Sequence, residues 1–303
     1  MSRLVSIIIP SYRDPLLEKT IGSLLENVEG AVEIIVVLDG YCPATPLGDD
    51  SRLRVIRLDE HRGMRAAINR GLAEAKGDFV MKIDEHCVVG KGFDRIMSEC
   101  CQENWLVIPR RYSLDEVNWK RNELRPVQDY HYLSFPQEGS YGYGMFIGEW
   151  RQMTRRCKNP KYDIDDTMTF QGSCWFANRK YFTEHIGFLD DRTETYGTFA
   201  QESQEIGLKY WLGGGEVKVI KKTWYAHLKK TRKYYRRMGW SGKSYKKDSH
   251  TTANNAWSAK HWVGNQEPGM IYQFSWLVEK FQPIPTWPEN WKEIYDATLR
   301  DSV

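Results

Sequence analysis

The sequence predicts an α/β protein with an open, mostly parallel sheet that is flanked by helices. Strand-like and helix-like segments alternate over about the first hundred of its 303 residues. The strand-like segments are unbroken apolar runs, the pattern of strands buried on both faces of a parallel sheet. Polar residues follow directly after several of these runs, and ligands bind beyond the carboxyl ends of strands in such sheets. A binding site is therefore expected at that edge.

Hydrophobic periodicity places the elements in order along the chain. Segments rich in β-branched and other apolar residues predict strands at residues 4–9, 33–38, 53–58 and 79–83. Apolar or small residues at helical spacing predict helices at residues 16–28 and 65–75. Parallel neighbours that are joined through helices take right-handed crossovers.

The second half of the chain gives a weaker pattern. Residues 105–170 are irregular and rich in Gly and Tyr, so mobile connections are expected there. Regular structure is predicted again as a strand at 172–177, a helix at 201–212 and a strand at 217–220. Three consecutive glycines after residue 212 end that helix.

The overall composition excludes a strongly polarised protein. The net charge is only +3, from 43 Lys and Arg against 40 Asp and Glu, so no global field marks a nucleic-acid or membrane protein. The apolar run at the N-terminus stops at Pro10, and no stretch approaches the length of a membrane span. We therefore expect a soluble, cytoplasmic protein with no signal peptide and no membrane anchor. The cysteines form no CxxC pair, which is typical of reduced thiols.

The strongest chemical signal is the end of the strand at 79–83, where Asp84 and His86 follow two residues apart. In an extended backbone, residues i and i+2 point to the same side, so both side chains can face one site. Mixed oxygen and nitrogen ligands suit Mn²⁺, with Mg²⁺ as the alternative, and such an ion would also hold a diphosphate. A strand-end cap with a surface histidine is the simpler interpretation of the tripeptide alone.

The segments VSIIIPSY (5–12), IIVVLDG (34–40) and HRGMRAAINRGLAEAKGDFVMKIDEH (61–86) resemble the nucleotide-binding half of family 2 glycosyltransferases. The resemblance covers about the first hundred residues and implies the GT-A fold, an open and mostly parallel Rossmann-like sheet. It further implies that Asp84 and His86 bind a metal ion together with the diphosphate of a donor, for which a UDP-sugar is expected.

A second block lies later in the chain, where GSCWFA (172–177) resembles the acceptor-side region of the same superfamily. ESQEIGLKYWLGG (202–214) is similar to the Glu-x-x-Glu, Trp and Gly-Gly pattern of polypeptide N-acetylgalactosaminyltransferases. This similarity implies that His227 is a third metal ligand; a core or surface imidazole is the alternative. Two departures, Phe199-Ala200-Gln201 for Trp-Gly-Gly and Lys209 for Arg, argue against carrying over the polypeptide acceptor and the N-acetylgalactosamine donor. Family 2 favours inversion and this block favours retention, so the stereochemistry stays open.

The resemblance also suggests roles for the donor pocket. Arg65 is expected to place a positive charge beside the phosphates, unless it lies on a solvated helix face. Asp39 is expected to accept a hydrogen bond from the base or a ribose hydroxyl, unless it is a simple turn residue. Pro10 and Tyr12 are expected to shape the base pocket.

Two carboxylates are candidates for general base catalysis. Glu202 is the first, either as the base or as the group that orients the sugar. Because it begins a predicted helix, a favourable charge at the helix N-terminus is the alternative explanation. Glu205 lies one turn later on the same face and is the second candidate.

Residues 218–247 contain many Lys and Arg residues, no acidic residue, and interleaved Trp and Tyr. Cations for phosphates with rings for stacking are typical of a nucleic-acid groove. We expect an acceptor such as the hydroxymethylated DNA of a virus. Donor diphosphate binding, an acidic polymer and an anionic membrane surface are the alternatives for this segment, and a cell-surface polysaccharide or a protein is the alternative acceptor.

The sequence thus predicts a metal-dependent glycosyltransferase domain over residues 1–230, with a nucleotide-sugar half at 1–100 and an acceptor and catalytic half at 101–230. Residues 231–303 form a basic, aromatic C-terminal extension. A nucleotidyltransferase is the runner-up, but residues 11–15 lack the Gly-rich loop that it normally carries after its first strand. A non-catalytic nucleic-acid-binding module is the third hypothesis. The sequence gives no indication of the oligomeric state.

Overall fold

The structure, a computed structural model, describes residues 3–139, 142–230 and 249–300. Its longer strands are β1 Val5–Ser11, β2 Val32–Leu38, β3 Leu53–Arg57, β4 Phe79–Ile83, β6 Trp105–Asp115, β13 Cys174–Asn178 and β14 Glu216–His227. The short strands are β5 Cys87–Val89, β7 Lys120–Arg121, β8 His131–Leu133, β9 Gln137–Gly139, β10 Gly142–Gly144, β11 Ile147–Glu149 and β12 Ile164–Asp166.

The helices of the described residues lie between and after these strands. They are α1 Leu17–Asn27, α2 Met64–Glu74, α3 Phe93–Cys100, α4 Thr154–Cys157, α5 Arg179–Tyr181, α6 Glu202–Leu212, α7 Ser249–Val263, α8 Phe274–Phe281 and α9 Trp291–Arg300. None of the described helices is long and apolar enough to cross a membrane.

One large sheet organises the described residues, in the order β12-β14-β6-β13-β4-β1-β2-β3. β1 is parallel to β2 and β4, β2 is parallel to β3, and β6 is parallel to β14. β13 runs antiparallel between β4 and β6. The predicted α/β class with an open, mostly parallel sheet is confirmed.

The first hundred residues follow the predicted pattern closely, because β1, β2 and β4 are largely apolar strands buried in the sheet, whereas β3 at the edge is only partly buried. Every residue of β1 and β4 is buried. The expectation for residues 105–170 was wrong in one respect, since β6 is a long strand inside the sheet. Leu106, Val107 and Ile108 are buried there between β13 and β14, and the Pro and Arg residues that follow obscured the run.

Helices cover both faces of the sheet. Along β1, Ile7 and Ile9 pack in one cluster with residues of α1 and α3, whereas Ile8 touches Gly71 of α2 on the other face. This alternation is the two-residue period of a strand. A Cβ added at Gly71 would lie 2.4 Å from Ile8 Cγ2, so only glycine allows α2 to approach β1 this closely.

The described part of the C-terminal extension packs against the same core. Trp262 of α7, Leu277 of α8 and Trp291 of α9 belong to the cluster that also contains Trp211 of α6. A boundary at residue 230 stays a prediction. Residues 231–248 lie outside the described residues.

Candidate functional site

A cleft of about 570 Å³ opens at the carboxyl ends of β1, β2 and β4. Its walls include Pro10, Tyr12, Asp39, Asp84, His86 and His227. These six residues were all assigned to a binding site from the sequence. The parallel strands bring the segments that follow them to one edge, which explains the convergence.

Three of these side chains form a compact donor set for a metal ion. His86 Nε2 lies 3.0 Å from His227 Nε2, which lies 3.1 Å from Asp84 Oδ2. All three ligand atoms lie within 4.8 Å of one another. Ligands about 2.1 Å from one ion and at right angles to each other are about 3 Å apart, so the spacing fits a single cation.

Strand pairing explains how His227 reaches the other two residues. β4 ends at Ile83, immediately before Asp84, and β5 begins at Cys87, immediately after His86. The last residue of β14, His227, pairs with Cys87. The third residue therefore arrives from far along the chain because β14 pairs with β5.

Each imidazole also has a polar partner at Nδ1, the ring nitrogen that does not face the donor set. His86 Nδ1 lies 3.0 Å from Asp14 Oδ2, so a proton on Nδ1 donated to Asp14 leaves the lone pair of Nε2 facing the cleft. An Arg111 guanidinium nitrogen lies 3.1 Å from His227 Nδ1. With Arg111 donating there, the ring proton of His227 sits on Nε2, where a metal ion would replace it. Burial lowers the pKa of His227 to about 3, aided by His86 and Arg111 and opposed by Asp84. The imidazole is therefore neutral, and ligation of a metal ion through Nε2 requires release of the proton on that nitrogen.

Lys82 is a buried cation beside Asp84 that the sequence analysis missed. Its Nζ lies 2.6 Å from Asp84 Oδ1 and its side chain is 1% exposed. Burial alone would raise the pKa of Asp84, but the charge of Lys82 and the hydrogen bond from His227 hold it well below its usual range. A lysine in the otherwise apolar run Phe79–Ile83 was the available signal.

Glu202 does not line the cleft, although it was the first candidate for general base. The carboxylate is buried, with Oε1 accepting from Trp175 Nε1 at 2.8 Å and Oε2 from Lys82 Nζ at 3.3 Å. Burial raises the pKa of Glu202 against the opposing charge of Lys82. Both oxygens are therefore engaged within the protein.

The expectations for Arg65 and Glu205 do not agree with their positions. Arg65 is fully buried, its guanidinium paired with Glu205 and donating to the carbonyls of Ala200 and Asp190 at 2.9 and 3.1 Å. Glu205 is equally buried and also accepts from Lys209 at 2.9 Å. Neither residue lines the cleft. Arg65 lies on the core side of α2, so it joins that helix to α6 instead of contacting a phosphate.

Asp39 holds the turn that precedes α2. Its two carboxylate oxygens accept from the backbone N–H groups of Arg62 and Gly63 at 2.7 and 2.8 Å, and His61 Nδ1 lies 2.7 Å from Oδ2. The ring of His61 stacks on Tyr12 with centroids 4.0 Å apart. Tyr12 is 39% exposed, so one wall of the cleft presents an accessible aromatic ring.

A second polar group on the wall of the cleft contains Asp14, Glu85 and Lys230. Asp14 and Glu85 were not selected from the sequence, and Lys230 was selected only as part of the basic segment 218–247. Lys230 Nζ lies 2.5 Å from Asp14 Oδ2 and 3.8 Å from Glu85 Oε1. Burial and the negative charge of Asp14 raise the pKa of Glu85 to about 8, and Lys230 opposes this shift. Lys230 therefore supplies a cation next to the three-residue donor set.

Only part of the basic segment 218–247 falls in the described residues, which stop at residue 230 and resume at 249. Within it, Lys218 pairs with Asp166 at 2.6 Å and Lys221 donates to Tyr130 Oη at 2.7 Å. These two cations are thus engaged with the protein itself. The predictions for residues 231–247 concern a segment outside the described residues.

Comparison with known proteins agrees with the resemblance to polypeptide N-acetylgalactosaminyltransferases. Mouse polypeptide N-acetylgalactosaminyltransferase 3 is 27% identical over 176 residues, covering 56% of this chain and 26% of that protein. Human polypeptide N-acetylgalactosaminyltransferase 6 is 26% identical over 188 residues, covering 59% of this chain and 28% of that protein. The matched part is about a quarter of the length of these relatives.

Among solved structures, the crystal structure of GalNAc-T7 with UDP, GalNAc and Mn²⁺ superposes with a TM-score of 0.67 at 16% identity. The match covers 99% of this chain and 55% of that chain, and it shows that the fold is GT-A. The family model described as Glycosyl transferase family 2 matches residues 6–186. Because this match extends over more than half of the chain, the protein belongs to glycosyl transferase family 2.

Proposed function

We propose that this protein transfers a sugar from a nucleoside diphosphate sugar, with UDP as the carrier, to an acceptor hydroxyl in a metal-dependent reaction. The observation that carries the proposal is the donor set of Asp84, His86 and His227 in a cleft at the carboxyl edge of the sheet. Family membership supports the reaction class, and the UDP and Mn²⁺ in the GalNAc-T7 structure support the choice of carrier and ion.

The donor set fits Mn²⁺ or Mg²⁺ in composition and spacing. Asp84 Oδ2, His86 Nε2 and His227 Nε2 would hold the ion. When bound, a divalent ion offsets the negative charge that develops on a departing diphosphate. Asp14 keeps the lone pair of His86 Nε2 directed toward the ion by accepting from Nδ1. Asp84 stays ionised because Lys82 lies beside it.

The rest of the cleft suits a nucleotide. Its volume, about 570 Å³, is in the usual range for small-molecule sites. Tyr12 and His61 offer a stacked aromatic wall for a planar base, and Asp39 retains lone pairs for a base N–H or a ribose hydroxyl. Lys230, close to the donor set, would pair with a phosphate.

For the acceptor, we propose nucleic acid that carries hydroxymethylated bases, as in some virus DNA. The support is compositional: residues 218–247 contain no acidic residue and many cations and rings. Because Lys218, Lys221 and Lys230 pair internally, this support depends on Lys222, Lys229 and the composition of residues 231–247. Salt-sensitive binding of duplex DNA and incorporation of sugar only into hydroxymethylated DNA are the expected results. Activity confined to saccharide or protein acceptors would exclude this acceptor.

The reaction class is tested by thermal melts against a panel of nucleotide sugars with and without Mn²⁺, followed by a hydrolysis assay on the best ligand. A ligand at a hundred times its Kd stabilises the folded state by about 2.7 kcal/mol, so a clear melting shift is expected only when Mn²⁺ is present. Asp84→Asn and His227→Gln should abolish the shift. The exposed His185, replaced by Gln, is the matched control and should respond like the wild type. A wild-type protein that no nucleotide sugar stabilises with Mn²⁺ would contradict the proposal.

A further inference from the structure

We propose that Lys82, anchored by Glu202, is a positioning residue that fixes the carboxylate of Asp84 in the orientation required to bind the metal ion. This inference rests on the proposed function, because it assigns a role toward the same ion. It also gives Glu202 a role other than general base.

Every N–H group of the Lys82 ammonium has a hydrogen-bond acceptor. It donates to Asp84 Oδ1 at 2.6 Å, to the carbonyl of Gly172 at 2.7 Å and to Glu202 Oε2 at 3.3 Å. An ammonium carries three N–H groups, and these three acceptors use all of them. The side chain is 1% exposed, so water does not compete for these bonds.

The two carboxylate oxygens of Asp84 therefore have different partners. Lys82 binds Oδ1 from the core side, and Oδ2 lies 3.1 Å from His227 Nε2 in the donor set. A carboxylate held by only one oxygen can still rotate about its Cβ–Cγ bond. With Oδ1 fixed by Lys82, Oδ2 is directed into the cleft before any ion arrives, and less ordering is needed on binding.

Glu202 is in turn fixed by the core. Its other oxygen accepts from Trp175 Nε1 at 2.8 Å, and the Trp175 ring stacks on Phe182 with centroids 5.0 Å apart. A Cβ on Gly172 would lie 2.8 Å from Glu202 Oε2, so the glycine allows the backbone to reach both Lys82 and Glu202. The position of Asp84 is therefore set by a continuous series of contacts that begins in the apolar core.

Stability alone does not account for this buried group of charges. Removing ions from water is costly, and apolar residues of similar size are often as stable as a buried ion pair or more so. The triad of Asp84, Lys82 and Glu202 ends in the cleft, at the proposed metal ligand. A function in holding that ligand explains why charged residues occupy this part of the core.

The test compares the affinity for Mn²⁺, measured directly by electron paramagnetic resonance of the free ion, in the wild type and in Lys82→Met/Glu202→Gln. The double variant removes the contacts of Lys82 with Asp84 and Glu202, and it leaves no unpaired buried carboxylate at position 202. Loss of an outer partner of a metal ligand typically weakens binding by about 10- to 100-fold, and a loss of at least tenfold is expected. Lys82→Arg keeps a cation at this position, so its affinity for Mn²⁺ should lie between those of the double variant and the wild type.

Lys209→Met is the matched control, since Lys209 is also a mostly buried lysine paired with a carboxylate, but its partners are Glu205 and Glu267 and not Asp84. It should bind Mn²⁺ like the wild type even if it is less stable. Double-variant affinity within twofold of the wild type would overturn the inference. If the double variant does not fold, Glu202→Gln alone should still weaken Mn²⁺ binding by at least about threefold, and unchanged affinity there would also overturn it.

The same titration separates the two proposals. If the wild type binds Mn²⁺ and Asp84→Asn does not, the metal site stands, and the double variant decides the role of Lys82. If the wild type itself binds no Mn²⁺, the proposed function fails and the role of Lys82 fails with it.

Discussion

The buried pair of Arg65 and Glu205 gives the most direct test of how α2 and α6 are joined. Neither side chain is exposed to solvent, and they connect residues 140 positions apart in the sequence. If Arg65 joins the two helices, Arg65→Met should mainly reduce the free energy of unfolding. If it binds the donor diphosphate instead, the same change should mainly reduce the affinity for UDP.

The size of the loss follows from the partners that remain. Removing one member of a buried ion pair costs about 3–5 kcal/mol. In Arg65→Met, Glu205 keeps Lys209 at 2.9 Å, so the cost is expected near the lower limit, about 3 kcal/mol. In Glu205→Leu, the fully buried guanidinium keeps carbonyl partners and the ring of Tyr196, whose centroid lies 4.4 Å away, but no carboxylate, so about 4–5 kcal/mol is expected. The double variant should cost less than the sum of the two, because it leaves neither charge unpaired.

The assay is urea unfolding followed by tryptophan fluorescence. A loss of about 3 kcal/mol lowers the urea midpoint by about 1 M for a protein of this size. Arg70→Met on the same helix is the control: its pair with Glu74 is exposed, so a change within about 0.5 kcal/mol is expected. An Arg65→Met protein with an unchanged midpoint and a roughly tenfold weaker affinity for UDP with Mn²⁺ would refute the structural role.

Three further predictions concern residues outside the cleft. Burial, aided by Arg111, lowers the pKa of His131 from 6.5 to about 3, so between these values the unfolded state binds more protons and stability falls as the pH decreases. Between pH 7.5 and pH 5 this group should account for a loss of about 2 kcal/mol in urea titrations, which His131→Gln should remove. Gln201 precedes α6 with φ +57°, and its side chain donates to the carbonyl of Met145 and to Asn255 Oδ1 at 3.3 and 3.1 Å. Gln201→Gly and Gln201→Val both lose these hydrogen bonds, so Gln201→Val should cost about 1–2 kcal/mol more than Gln201→Gly because glycine adopts this backbone conformation without strain. Gly71→Ala should cost about 1–3 kcal/mol in the same unfolding assay because its Cβ meets Ile8, and adding Ile8→Ala should recover part of the loss.

The sequence predicted β1, β2 and β4 well because the pattern of each fits only one kind of secondary structure. β1, β2 and β4 are apolar runs buried on both faces, and no other element suits such runs next to turn residues. β6 was missed because a Pro and two Arg residues follow its apolar part. Its burial depends on pairing with β14, more than a hundred residues later, which local pattern does not reveal.

The residues of the candidate site were predictable where they directly follow a strand. They were unpredictable where their positions depend on contacts between residues far apart in the sequence. Asp84 and His86 were identified from their spacing, and both line the cleft. Arg65 was expected beside the donor phosphates, with a solvated helix face as the alternative, because charged residues are rarely fully buried unless they are paired. Its burial requires Glu205, and only the three-dimensional fold brings the two together. Lys82 was overlooked for the same reason, since its acceptors come from three separate segments.

The late position of β14 has a consequence for the order of assembly. His227 reaches the donor set only when β14 has paired with both β6 and β5, so the complete set of ligand atoms exists only in the nearly finished fold. An intermediate that contains the nucleotide-binding half alone holds Asp84 and His86 but lacks the third donor. Tight capture of Mn²⁺ during refolding should therefore lag behind formation of secondary structure and coincide with the last cooperative step.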